Sequence, residues 1–168
     1  ENTALYFKVN NAGWFTSAVA TDITEGAEFV STSDTDAVGA ALKAGYVFID
    51  VGTRSRGARA VDGSWAGKAP APVVDAKAAI RYLRLNDALM PGSAERIVVT
   101  GTSGGGGLTA AVSASGNSAD YLPFLAAVGA AGVTGEDDSL ASTINDDVFA
   151  AVAYCPINNL GNADAGYE

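Results

Sequence analysis

The 168-residue sequence contains no histidine and only one cysteine, Cys155. Without a second cysteine no internal disulfide can form, and without histidine a zinc site of the usual His/Cys type is excluded. The cysteine lies in the apolar run "FAAVAYCPI", which favours a buried thiol over a nucleophile. Neither a metal ion nor an organic cofactor is expected.

Basic residues are missing from the C-terminal part of the chain. All ten lysines and arginines lie between Lys8 and Arg96, whereas residues 97–168 contain eight acidic residues. The net charge of −9 argues against nucleic acid as a partner, because phosphate would be repelled. Two explanations stay open for the acidic part: a solvated acidic surface, or basic counter-charges on polypeptide outside this sequence.

Long apolar runs are also absent, so no membrane span is expected. Hydrophobic residues make up 48% and charged residues 17%, which indicates a globular chain of one-domain size. The sequence starts at Glu1 with no methionine and no signal-like segment. A processed N-terminus and a secreted or periplasmic location are therefore expected, and a cytoplasmic one stays open.

What is present is an alternation of apolar strands and helices. Strands are predicted at 46–52, at 96–101 and within 146–157, with two shorter ones in 4–21 and one at 27–32. A helix capped by Ser33 or Asp34 ends at Gly45, and a broken helical stretch covers 120–133. This alternation predicts an α/β fold with a mostly parallel sheet and helices on both faces.

The clearest predicted helix covers residues 73–90. Its expected core face is formed by Val74, Ala78, Tyr82, Leu85 and Leu89. Arg81 and Arg84 are expected on its polar face. The loops after the main strands should meet at the C-terminal edge of the sheet, where such folds bind their ligands.

The stretch "IVVTGTSGGGGLTAA" (97–111) contains the motif G-x-S-x-G with Ser103 at its centre. In α/β-hydrolases this motif is the nucleophile elbow, a strained strand-to-helix turn whose neighbours must be small. Ser103 is thus the candidate nucleophile. The amide of Gly104 is one candidate oxyanion donor, and the loop at 52–57 should supply the second, from Gly52 or Thr53.

Other interpretations of these glycines fit less well. A phosphate-binding P-loop requires a lysine where Gly107 stands, and a dinucleotide fingerprint requires an acidic residue that is absent downstream. A further alternative is that the glycines serve close helix–sheet packing alone. Arg54, Arg56 and Arg59 lie beside the proposed oxyanion loop. Arg56 is the candidate for attracting an anionic acyl group, with surface salt bridges as the alternative.

The strings "DAKAAIRYLRLNDALMPGSAERIVVTGTSGGG", "SGNSADYLPFL" and "DDVFAAVAYCPINNLGNADAGYE" resemble bacterial tannase-type esterases and their feruloyl-esterase-like relatives. The resemblance runs from about residue 46 to the end. It implies an α/β-hydrolase that cleaves carboxylic esters, often of hydroxylated aromatic acids, with Ser103 as nucleophile. It also implies Gly104 and either Gly52 or Thr53 at the oxyanion hole. Thr102 replaces a cysteine of the fungal members.

The family's acid and histidine follow the serine, beyond a lid insertion, and the sequence stops at Glu168 before either. Residues 1–168 are therefore expected to be the N-terminal part of a single α/β-hydrolase domain that lacks the C-terminal strands and the lid. Asp146 and Asp147 precede the next core strand, so neither is assigned as the acid. Asp164, Tyr167 and Glu168 match family residues without an assigned role.

Three functions remain open at this stage. The first is a serine carboxylesterase that forms an acyl-enzyme with small aromatic-acid esters, its histidine and acid coming from a second chain or a C-terminal fragment of the same precursor. In that case the 168 residues alone are inactive. The second is a lipase-like esterase for aliphatic acyl chains. The third is a non-catalytic binding protein on the hydrolase scaffold.

Overall fold

Four parallel strands form the central sheet of the computed structural model, which describes residues 2–19, 24–31 and 36–163. The strands, in the spatial order β2-β1-β3-β6, are β1 (Ala4–Val9), β2 (Val47–Val51), β3 (Ser93–Thr102) and β6 (Ala150–Tyr154). Parallel neighbours cannot be joined by a tight turn, and helices lie in each connection between them. The predicted mostly parallel α/β sheet is confirmed.

One face of the sheet carries the hydrophobic core. Two helices cover this face: α2 (Ala71–Leu85) and α3 (Gly104–Ala114). Phe7 and Val99, which are paired neighbours in β1 and β3, are completely buried against Ile80 and Leu108 of the helices. Each fully buried side chain of this size stabilises the fold by about 1.5–3 kcal/mol.

The helix α1 (Ala37–Lys43) packs beside β2. The chain crosses from β1 to β2 in one direction and from β2 to β3 in the other. Because such crossovers are right-handed, α1 belongs to the face opposite α2 and α3. Its cap is Asp36, whose carboxylate accepts a hydrogen bond from the Val38 amide at 3.0 Å. The predicted caps, Ser33 and Asp34, lie outside the described residues.

The connection from α3 to β6 contains one more helix and a small hairpin. These elements are α4 (Leu122–Ala127), β4 (Val133–Thr134) and β5 (Ala141–Ser142). A short 3-10 helix precedes α4, in agreement with the broken helical stretch predicted at 120–133. Across the described ranges, no helix combines the length and the apolar character that crossing a bilayer requires.

The N-terminal part holds fewer strands than predicted. Of the two strands expected in 4–21, only β1 forms within the described residues 4–19, because the chain turns through a short 3-10 helix at Ala12–Trp14. Beyond that turn, Phe15 and Ser17 make only isolated bridges, to Arg56 and Thr53. Residues 27–31 form no strand either.

The core face predicted for α2 is right at Val74, which is 2% exposed, and wrong further along the helix. Tyr82 and Leu85 are about 60% exposed, with relative areas of 60% and 61%, and Leu89 lies past the end of the helix. The buried face also includes Lys77 and Arg81, of which Arg81 was expected on the polar face. The sequence carries apolar residues on both sides of this helix, and buried partners for the two cations decide which side faces inward.

The strand β6 forms the open edge of the sheet. Four of its five residues are exposed, and so is Cys155, which follows it directly. The expectation of a buried thiol is therefore wrong. The run "FAAVAYCPI" is apolar enough for a strand covered on both faces, but the described residues leave it largely uncovered.

Candidate active site

Ser103 lies at the sharp turn between β3 and α3, where its residue is exposed. Its backbone adopts φ 58° and ψ −115°, a conformation that residues other than glycine rarely adopt. Holding a non-glycine residue there costs about 1–3 kcal/mol, so the surrounding structure must impose it. The turn therefore has the strand–turn–helix form predicted from the motif, and it presents the serine to solvent. Residues 101–105 are called the elbow below.

Three hydrogen bonds impose this backbone conformation. The Ser103 amide donates to the carbonyl oxygen of Tyr154 at 2.9 Å. The Ser103 carbonyl accepts from the amide of Ile157 at 3.1 Å and from that of Gly107 at 2.9 Å. Both backbone groups of the serine are thus fixed by β6, by the segment after it and by the first turn of α3.

Glycine is required in the elbow because other backbone segments approach it closely. A Cβ on Gly104 would collide with the carbonyl oxygen of Asn11, and one on Gly105 would lie 2.6 Å from that of Val9. The end of β1 and the loop after it therefore lie directly against the start of α3. Close packing and a functional turn both require glycine here, so the glycines alone do not separate the two interpretations.

The amide of Gly104 is well placed to stabilise negative charge. The first amides of a helix have no intrahelical acceptor, and the helix dipole adds a partial positive charge at this end. Gly104 is the first residue of α3 and directly follows the exposed serine. An oxyanion beside Ser103 would meet this amide.

The structure does not support Thr53 as the second oxyanion donor. Its amide already donates to the Ser17 carbonyl at 2.9 Å, and the residue is only 3% exposed. Gly52 packs against the backbone of Ser17 and Val19. Both follow β2, which β1 separates from β3, a lateral distance of roughly 10 Å for two strand spacings.

The loop that does adjoin the elbow is Asn11–Trp14, after β1. Besides the Asn11 carbonyl, the Trp14 amide nitrogen lies beside Gly104. Sequence analysis missed this loop because strand order cannot be read from one sequence. Only the adjacency of β1 and β3 brings "NNAGW" to the serine.

Thr53 instead supports that loop. The fully buried Asn11 side chain donates to Thr53 Oγ1 at 2.7 Å and to the Phe15 carbonyl at 3.0 Å. In addition, Ser55 Oγ donates to the Trp14 carbonyl at 2.6 Å. The segment after β2 therefore holds the loop after β1 against the elbow.

The three arginines of the 52–59 region have different environments. Arg54 forms an ion pair with Asp75 at 2.7 Å. The hydrogen bonds within this pair raise the pKa of Arg54 above its usual value. Arg59 stacks on the Trp65 ring and donates to the Gly63 carbonyl. Arg56 lies over the Phe15 ring at 5.1 Å, and none of the described carboxylates forms an ion pair with it.

A buried ion cluster links α2 to the segment that leads into β6. Asp146 accepts from Lys77 Nζ at 2.7 Å and from Arg81 Nε at 2.8 Å, and all three residues are 1% exposed or less. Burial by itself would raise the pKa of Asp146. The hydrogen bonds from Lys77, from the Asn117 amide and from Arg81 outweigh that effect and hold the pKa below its usual value.

The C-terminal acidic residues are therefore not simply a solvated surface, because two of them form ion pairs with basic residues of this chain. Asp146 is buried with Lys77 and Arg81, and Asp147 pairs with Arg84 at 2.9 Å. Arg84 is itself largely buried, contrary to the expectation of a solvated position. Asp164, Tyr167 and Glu168 lie outside the described residues.

The chain was then compared with known proteins. The model of the BD-FAE family matches residues 19–160. The tannase of Fusobacterium nucleatum is 41% identical, with a TM-score of 0.77. A tannase of Lactobacillus plantarum is 36% identical with a TM-score of 0.78, and a tannin acyl hydrolase in complex with ethyl gallate is 37% identical with a TM-score of 0.77.

These similarities cover nearly all of this chain but a minor part of the relatives. The F. nucleatum match spans 99% of this chain and 31% of the tannase. The other two each span 97% of this chain and 32% or 33% of the relative. The chain thus corresponds to about a third of the length of these proteins. A comparison with curated protein sequences found no match.

Proposed function

We propose that this chain, which belongs to the BD-FAE family, carries the nucleophile of a serine carboxylesterase for aromatic-acid esters. Its similarity to bacterial tannases supports the proposal. The observation that carries the proposal is the elbow. An exposed serine with positive φ stands beside the unpaired amides of a helix start. We further propose that residues 1–168 are the N-terminal part of one α/β-hydrolase domain.

In this mechanism Ser103 Oγ attacks the carbonyl carbon of the ester, and the negative charge moves to the carbonyl oxygen. The Gly104 amide donates to that oxyanion. The second donor is an amide of the Asn11–Trp14 loop, from Asn11 or Gly13, because those of Ala12 and Trp14 already donate to the carbonyls of Asn10 and Asn11. The alcohol leaves when the tetrahedral intermediate collapses, and water then hydrolyses the acyl-enzyme. Losing one oxyanion donor lowers turnover about a hundred- to a thousandfold in such enzymes.

The proton acceptor has to come from elsewhere. The sequence has no histidine, and Asp146 is enclosed by Lys77 and Arg81. We propose that a histidine and its orienting acid lie on polypeptide outside these 168 residues, either a further part of the same precursor or a second chain. A secreted or periplasmic location stays a prediction.

The replacement Ser103→Ala in the natural protein, with any polypeptide that accompanies this chain, tests the nucleophile. We expect ester hydrolysis to fall at least about a thousandfold, because subtilisin loses still more when its serine is removed. Galloyl and feruloyl esters serve as substrates. A fluorophosphonate probe should label Ser103, with the adduct located by mass spectrometry.

The control is Ser113→Ala, since Ser113 is an exposed serine further along α3. Full activity of Ser103→Ala would refute the mechanism. Faster turnover of p-nitrophenyl esters of long aliphatic acids than of galloyl or feruloyl esters would favour the lipase-like alternative.

A non-catalytic role is the remaining alternative, and the absence of histidine is the observation in its favour. The intact mass of the natural protein under denaturing conditions separates the two. A larger precursor, or a second polypeptide that copurifies, is expected for the esterase. A single species near 16.9 kDa that fails to hydrolyse esters would favour the binding protein.

A further inference from the structure

A small cavity lies beside the elbow, between two segments that contact it. Its volume is about 260 Å³, and its walls include Trp14, Arg56, Ile157, Asn158, Asn159 and Asn162. The Trp14 amide nitrogen lies against Gly104, and the Ile157 amide donates to the Ser103 carbonyl. Both walls are therefore joined to the turn that carries the serine.

Arg56 gives this cavity its charge. Of the described residues that line it, Arg56 is the only charged one, and three asparagines supply further polar groups. The neighbouring arginines are engaged elsewhere, Arg54 by Asp75 and Arg59 by Trp65. The Arg56 guanidinium rests on the Phe15 ring and forms no ion pair with a described carboxylate. Within the described part of the chain, no acceptor is hydrogen-bonded to its side chain, which leaves these donors for a ligand.

The backbone of Arg56 makes hydrogen bonds that do not depend on its side chain. Its amide donates to the Trp14 carbonyl at 3.1 Å, and its carbonyl accepts from the Thr16 amide at 2.9 Å. Changing the side chain leaves both bonds in place. A functional effect of such a change would therefore report on the guanidinium itself.

We infer that this cavity binds a carboxylate carried by the ester substrate, with Arg56 as its recognition residue; the inference rests on the proposed esterase function. The planar guanidinium matches a carboxylate in geometry and charge. The cavity is slightly smaller than the 300–1,000 Å³ typical of whole-ligand sites, so it suits one end of a substrate. Arg56 then determines which esters are preferred, while Ser103 performs the chemistry.

The test compares matched pairs of esters in the natural protein. The first pair is the carboxymethyl and the ethyl ester of gallic acid, with the extra carboxylate on the alcohol side. The second is monomethyl terephthalate and methyl benzoate, with it on the acid side. In the pair whose carboxylate reaches the cavity, Arg56→Gln should lower kcat/KM of the charged ester about tenfold or more, as loss of a charged hydrogen bond predicts. Its neutral partner should be hydrolysed as before.

Arg56→Lys should restore part of the preference, because lysine keeps the positive charge but cannot form the two parallel hydrogen bonds that a guanidinium makes to a carboxylate. Arg59→Gln is the control, since Arg59 does not line the cavity. Salt at 0.5 M should weaken the preference by screening. Equal losses for charged and neutral esters, or no loss in either pair, would overturn the inference.

A binding measurement separates this inference from the esterase mechanism. Terephthalate is titrated into the Ser103→Ala protein by calorimetry, which requires no turnover. We expect Arg56→Gln to weaken its binding about tenfold. Unchanged binding refutes the carboxylate site even in an active esterase. If Arg56→Gln weakens this binding but the natural protein, with Ser103 intact, hydrolyses no ester, the esterase function is refuted and the carboxylate site is retained.

Discussion

Gly104 combines two demands at the scale of a single residue. Its amide starts α3 beside the serine, and its missing side chain leaves room for the Asn11 carbonyl. The helix by itself would favour alanine, by about 1 kcal/mol. The choice of glycine is therefore explained by the approach of the loop after β1 and not by any requirement of α3.

Replacing Gly104 by alanine should destabilise the protein. The new Cβ would overlap the Asn11 carbonyl oxygen, and overpacking of this kind costs about 1–3 kcal/mol. Urea unfolding measures the loss as a lower midpoint at unchanged slope. Gly161→Ala is the matched control, since a Cβ there meets nothing within 4 Å. Equal stability of the two variants would show that the loop does not press on the elbow.

At the scale of elements, the Asp146 cluster joins α2 to β6, whose Tyr154 carbonyl accepts a hydrogen bond from the Ser103 amide. Lys77 and Arg81 are one helical turn apart on α2, and Asp146 lies just before β6. Lys77 also donates to the Ser115 carbonyl at 2.6 Å, which ties in the end of α3. Asp146 and Lys77 together thus connect three elements around the sheet.

The change Asp146→Asn should therefore cost about 3–5 kcal/mol of unfolding free energy, because Lys77 and Arg81 would remain buried without a counter-charge. Asp147→Asn is the control. Its carboxylate is half-exposed, and such pairs contribute about 1 kcal/mol or less. Denaturant unfolding at neutral pH measures both, and similar losses would contradict a special role for the buried cluster.

The same cluster determines part of the pH dependence. The folded pKa of Asp146 lies below the ordinary value of 3.8, so the contribution of this carboxylate to stability is present above that value. It is lost as the pH falls through the lower folded value. In Asp146→Asn the acid limb of the stability curve should become shallower, as measured by urea titrations between pH 2 and 5.

Sequence patterns predicted the elements better than their faces. The apolar runs at 46–52 and 96–101 and the glycine turn were sufficient for β2, β3 and the start of α3. The face of α2 could not be read correctly, because Tyr82 and Leu85 continue an apolar row that the described structure leaves exposed. Nothing local to α2 reveals that Lys77 and Arg81 will meet Asp146 inside the protein.

The candidate site divides in the same way. Ser103 and Gly104 are adjacent in sequence, so a local motif identifies both. The loop that faces them follows a strand far away in sequence, and the order β2-β1-β3-β6 decides that it is Asn11–Trp14. Gly52 and Thr53 follow β2, which β1 separates from β3, and no local pattern in the sequence reveals that separation.

At the scale of the whole molecule, the sheet is unevenly covered. β1 and β3 are its inner strands, with side chains completely buried under α2 and α3, whereas β6 lies at the edge and is mostly exposed. Local opening requires less free energy where few apolar contacts are broken. The order of strands is therefore also an order of local stability.

Hydrogen exchange measured by mass spectrometry should show this order in the 168-residue chain. We expect the amides of β1 and β3 to exchange slowest and those of β6 markedly faster. Adding the polypeptide that we propose as the source of the proton acceptor should slow β6 selectively. Exchange in β6 as slow as in β3, without any added polypeptide, would contradict the expectation.

The bonds from the Tyr154 carbonyl and the Ile157 amide to Ser103 also bear on how the protein is made. A ribosome delivers the serine well before it delivers the residues that shape the turn around it. A nascent or prematurely terminated chain thus contains the hydroxyl without its rigid setting. We therefore expect the proposed reactivity of Ser103 to arise late in synthesis, only once β6 has docked.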